Sequence, residues 1–126
     1  MFNIVGGHTL DHLAFCFGPL SEVSAKVTTH VKQLRMADTG EMVDAKTADN
    51  VKINGVLNSG ALLSYQLSTV PFRADGWRLA VYGSKGMIIA TTQGLPQITP
   101  VTLFGAQRNE PLSELQVPER LRFVLS

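Results

Sequence analysis

The chain has 126 residues, with 11 Lys or Arg against 10 Asp or Glu, a net charge of +1 and an apolar share of 44%. That is the size of one ordinary domain, residues 1–126, with enough chain to bury a core without staples. Charges of both signs are mixed and no Lys/Arg run exists to neutralise phosphates, which argues against a nucleic-acid partner. No apolar run approaches the ~20 residues of a membrane span, no basic-then-apolar leader opens the chain, and a single cysteine, Cys16, cannot form an internal disulfide. The expectation is a cytoplasmic protein with no membrane contact.

The first predicted element is a helix. Leu10, Leu13, Ala14 and Phe17 recur at i, i+3, i+4 and i+7, the spacing of one apolar helical face. Gly18-Pro19 ends it, and Gly6-Gly7 separates it from the apolar, β-prone "FNIV". After Pro19 the period becomes two. Val23, Ala25, Val27, Thr29 and Val31 fall on one face and Glu22, Ser24, Lys26, Thr28, His30 and Lys32 on the other, which predicts a half-buried strand. "MADTGEMVDAKTAD" reads as a long loop turning at Thr39-Gly40.

Two hairpins follow. "NVKINGVL" and "ALLSYQLST" flank Asn58-Ser59-Gly60, with a glycine where positive φ is needed. "GWRLAVYG" and "GMIIATT" flank Ser84-Lys85, and "TPVTLFG" adds a further strand. The tail from Asn109 on, with two prolines and weak periodicity, carries no predicted element. A helix followed by hairpin-linked strands is an α+β domain, an N-terminal helix packed on an open-faced, mostly antiparallel sheet. The sheet face away from the helix, around Leu62, Ala80, Tyr82 and Ile88, is too apolar for a solvated surface. It predicts a homo-oligomer, a dimer through that face.

His8, Asp11, His12 and Phe15 share one helical face. Two readings need nothing beyond these residues. H-T-L-D-H has the spacing of a metal-binding helix motif, although no third ligand is evident. In the other, Asp11 complements the positive end of the helix dipole and the face has no further role. Cys16, between Phe15 and Phe17, reads as a buried inert thiol. Trp77 reads as a core or interface anchor, and Lys85 as part of a turn.

"GGHTLDHLAFCFGPLSEVSA", "NVKINGVLNSGALLSYQL" and "GWRLAVYGSKGMIIATT", in that order, resemble the C-terminal domain of the Gfo/Idh/MocA oxidoreductases. The resemblance is strongest to the branch related to the fungal galactose-regulon repressor, whose helix also reads G-H-x-L-D. It implies a two-domain parent in which a Rossmann domain binds NAD or NADP and this domain contributes substrate contacts and the dimer interface. His8 would then be the catalytic-region histidine, with Asp11 and His12 contacting a sugar or polyol. An imidazole is suited to accept a proton from an alcohol as hydride leaves.

This chain departs from the pattern in two ways. The family's dehydrogenases carry an aspartate four residues before the histidine, where Ile4 stands here, and no G-x-G-x-x-G turn or E-K-P lysine is present. No cofactor is therefore expected on this chain, and no catalysis by it alone. A non-enzymatic regulator of the repressor-like branch, sensing a sugar or dinucleotide, is the alternative to the oxidoreductase. A stand-alone oligomerisation module is the third reading.

Overall fold

Helix α1 spans Phe2–Phe17 in the computed structural model, which describes residues 2–69 and 75–122. It runs straight through Gly6-Gly7, where a break was expected. Two glycines inside a helix cost about 0.5–1 kcal/mol each, but Gly6 is buried and, with no side chain, keeps that part of the helix slim where it packs. The buried line is Gly6, Thr9 and Leu13, flanked by half-buried Leu10, His12 and Phe17. Ala14, expected on the core side, is exposed. The packing face is thus turned towards His12 from the one the apolar spacing predicts. Gly18, at φ +84°, caps the helix as expected, donating its N–H to the Ala14 carbonyl at 2.9 Å.

The chain divides into two compact units, Met1–Phe72 and Arg73–Ser126. In the first, α1 is followed by β1 (Leu20–Thr28), β2 (Gln33–Arg35), β3 (Met42–Asp44), β4 (Asn50–Leu57) and β5 (Leu62–Ser68). Strands β1, β4 and β5 form an antiparallel sheet in the order β1-β4-β5. Strands β2 and β3 form a small hairpin of their own inside the segment expected to be loop, around the Gly40 turn that the sequence does indicate. The Asn58–Gly60 connection is as expected, with Gly60 at φ +86° and its N–H bonded to the Leu57 carbonyl.

Cross-strand partners share a face, so Val23, Ala25 and Val27 lie with Gly55, Ile53 and Val51, and these with Leu63, Tyr65 and Leu67. Val51, Ile53 and Leu57 are buried with Leu13 and make this unit's core. Burying each side chain of that kind contributes roughly 1.5–3 kcal/mol. β1 corrects the expectation of a half-buried strand: every residue from Ser21 to Val27 is exposed, Val23 at 63% and Val27 at 55%. The helix side chain Thr9 meets Tyr65 on β5, so the helix lies over the far side of the sheet and leaves the edge strand β1 bare. His30, expected on that strand, lies beyond its end.

The second unit is a four-stranded antiparallel meander of β6 (Trp77–Gly83), β7 (Gly86–Thr92), β8 (Thr102–Gln107) and β9 (Ser113–Leu115), closed by a 3-10 turn at Glu119–Leu121. β9 and this turn lie in the tail where no element was expected; residues 123–126 of that tail lie outside the described residues. The Ser84-Lys85 turn and β8 are as expected. Ile88 is not. It pairs with Val81 and therefore shares the Trp77–Leu79–Val81 face, opposite Ala80 and Tyr82.

Gly76 sits at φ +90°, and a Cβ there would come within 2.2 Å of the Thr92 carbonyl oxygen. Gly76→Ala is therefore expected to cost this unit about 2 kcal/mol or more in chemical denaturation. A loss under about 0.5 kcal/mol would mean the β6 entry is not held in this conformation.

Candidate functional site

Every residue the sequence singles out for chemistry lies on α1. His8 and Asp11 are exposed on its outer face, three residues apart, between exposed Ile4 (65%) and Phe15 (81%). The stripe Ile4–His8–Asp11–Phe15 presents an imidazole and a carboxylate between two uncovered apolar side chains. Such a strip can accept and donate hydrogen bonds to hydroxyls while its ends exclude water from a partner surface. His12 does not join it. It is half-buried, and its Nδ1 is enclosed with no hydrogen-bond partner among the described residues.

Beneath the helix, the Thr9 hydroxyl donates to the Val5 carbonyl at 3.1 Å. The Tyr65 hydroxyl, beside Thr9, is enclosed without a partner of good geometry. Burial raises the Tyr65 phenol above its ordinary pKa, and the neighbouring Thr9 hydroxyl partly offsets this. Two enclosed, unpaired polar atoms in this unit, on His12 and Tyr65, are a cost that folding normally avoids. Cys16, expected to be buried, is exposed. Among the described residues no three His, Cys, Asp or Glu side chains converge on a point where a metal could sit.

Sequence reasoning missed Asp49. Its carboxylate accepts the His30 N–H at 2.9 Å, the Val31 N–H at 2.7 Å and the Asn50 side-chain amide at 2.8 Å. These bonds, led by the His30 N–H, outweigh the opposing effect of burial and hold its pKa at about 2. The available signal was an Asp immediately before a strand, a residue type that caps nearby backbone N–H groups. On the sheet face away from the helix lies an open groove of about 520 Å³, lined by Glu22, Ser24, Asn54, Val56, Leu62 and Ser64. Ser64 donates to Asn54 Oδ1 across it at 3.3 Å.

A helix over one antiparallel sheet, followed by a second antiparallel meander, is an arrangement found in known proteins. Residues 1–89 match the family model described as the GFO/IDH/MocA C-terminal domain, and the chain belongs to that family. No curated protein matches the sequence. Among solved structures the fold is similar to the super-repressor mutant of Gal80p from Saccharomyces cerevisiae, with a TM-score of 0.78 and 17% identity over 94% of this chain. The chain spans 33% of that protein's length. At that identity the likeness speaks for the fold.

A nicotinamide dinucleotide needs a strand-to-helix turn whose glycines let its pyrophosphate approach a helix N-terminus. Here Gly6-Gly7 lie inside α1 and form no such turn.

Proposed function

We propose that this chain is the substrate-binding and oligomerisation domain of a two-domain, cytoplasmic NAD(P)-dependent oxidoreductase acting on a sugar or polyol. It is not catalytic alone. The observation that carries the reading is the outer stripe of α1. A residue as large as Phe15 at 81% exposure, in line with Ile4, His8 and Asp11, is a surface built to be covered.

In this reading His8 exchanges a proton with a substrate hydroxyl, and Asp11 accepts a hydrogen bond from a neighbouring one. The second half of the parent supplies the dinucleotide and the hydride chemistry. Self-association through the sheet face away from the helix, which exposes Leu62 at 85%, belongs to the same reading. One observation favours a second reading. Ile4, exposed, occupies the place of the aspartate in the family's dehydrogenase pattern, so that carboxylate is missing from the stripe. That favours a regulator that binds a sugar or dinucleotide without turning it over.

Nuclear magnetic resonance titration with monosaccharides and polyols tests the stripe. One of them should shift the His8 ring and Asp11 amide signals while leaving the Lys85 turn unmoved. No shift at His8 and Asp11 with any of them would remove the substrate role.

A further inference from the structure

β1 closes its sheet on one side, pairs there with β4 alone among the described residues, and is exposed on both faces. A nine-residue edge of this kind offers its outward N–H and C=O groups to any strand that can match it. The lysine in it would ordinarily repel such a strand. Here it does not stand by itself, because the stretch Glu22-Val23-Ser24-Ala25-Lys26 reads complementarily against its own reverse.

The geometry points to an edge-to-edge pairing of β1 with β1 of a second copy, antiparallel about a two-fold axis at Ser24. Glu22 then stands opposite Lys26 of the second copy, and Lys26 opposite the second copy's Glu22. Val23 and Ala25 exchange places on the other face. Each side chain keeps its own face, as isologous symmetry requires. Cross-strand opposite charges stabilise such a pair, and like charges oppose it.

Within one copy Lys26 faces Lys52 directly across the ladder. The incoming glutamate relieves a repulsion that the single chain leaves in place. Val23 and Val27, at 63% and 55% exposure, acquire apolar neighbours from the second copy's Val23 and Ala25. The two three-stranded sheets become one of six, β5-β4-β1 joined to its symmetry mate. The irregular pairing between Leu20 and Glu22 marks the end of the matched stretch. Glu22 and Ser24 also line the groove beside Leu62, but this pairing is made by the edge N–H and C=O groups of β1 and needs no contact from Leu62.

The test uses the whole chain. Glu22→Lys sets Lys against Lys, and Lys26→Glu sets Glu against Glu. Each should weaken self-association, read by sedimentation at low salt, by roughly tenfold or more. An equimolar mixture of the two variants should associate as heterodimers, and the double swap E22K/K26E should recover the parent behaviour. Both positions are exposed, so folding is not at stake. In a Cys16→Ser background, Ser24→Cys should form a covalent dimer under mild oxidation, since directly opposed strand residues lie within disulfide reach. Leu62→Glu should leave that cross-link intact. A Ser24→Cys chain that stays monomeric, or a mixture that associates no better than either variant, overturns the pairing.

Discussion

Truncating Leu13 to Ala should cost about 2–5 kcal/mol, the loss expected when a core side chain leaves a cavity. Leu13 is 6% exposed, the apolar side chain of α1 that is buried among the described residues. Val51, Ile53 and Leu57 are the other buried apolar side chains of this unit, and a close-packed interior closes over a lost side chain only in part. His8→Ala and Asp11→Ala should each change stability by less than about 1 kcal/mol, because both side chains are exposed. Leu10, half-buried, should fall between the two groups. Urea denaturation of the four single variants orders them. If His8→Ala proves as costly as Leu13→Ala, the histidine is part of the packing and the functional reading of its face fails.

The second large effect concerns Asp49. Its backbone N–H donates to the Thr28 carbonyl at 3.1 Å and its own carbonyl accepts the Thr69 N–H at 2.9 Å. Its carboxylate meanwhile holds the His30 and Val31 N–H groups. One residue thus ties the end of β1, the start of β4 and the end of β5 together. Asp49→Ala should leave the His30 and Val31 N–H groups without their acceptor and abolish hydrogen-exchange protection there. Asp49→Asn, with one acceptor oxygen and no charge, should lose part of it.

The pH dependence has a fixed sign. The folded pKa of about 2 lies below the ordinary 3.8. The carboxylate's contribution is therefore complete above about pH 4 and disappears as the pH falls towards 2. Protection at His30 and Val31 should fade through that window in the parent and be insensitive to it in Asp49→Ala. Protection at these amides that does not change between about pH 4 and pH values below about 2 would contradict the clamp.

The helix, both hairpins and β8 were legible because turn chemistry and periodicity agree there, as at Gly18-Pro19, Asn58-Ser59-Gly60 and Ser84-Lys85. β2, β3 and β9, at three residues each, are too short for any period to register. Ile88 falls in a continuous apolar run, where alternation cannot say which face a residue takes; only its pairing with Val81 decides. The exposure of β1 was hidden for a different reason. Its alternation of Val23, Ala25 and Val27 is that of a half-buried strand, yet α1 covers β4 and β5, and no local pattern encodes how far across a sheet a helix lies. His12 is half-buried through the turn of the packing face about the helix axis, a turn that does not account for the exposure of Cys16. The chemistry-bearing residues of α1 could be named from the sequence, but only the structure separates His8 and Asp11, which face outward, from His12, which does not.

The central claim is that the outer face of α1 serves a sugar or polyol site in an oxidoreductase. Its most direct test joins this domain to a dinucleotide-binding half and follows nicotinamide absorbance with sugars and polyols as substrates. The account predicts turnover with at least one of them, and a fall of about 100-fold or more in kcat when His8 is replaced by Ala. Binding without turnover, or turnover that His8→Ala leaves unchanged, would contradict it.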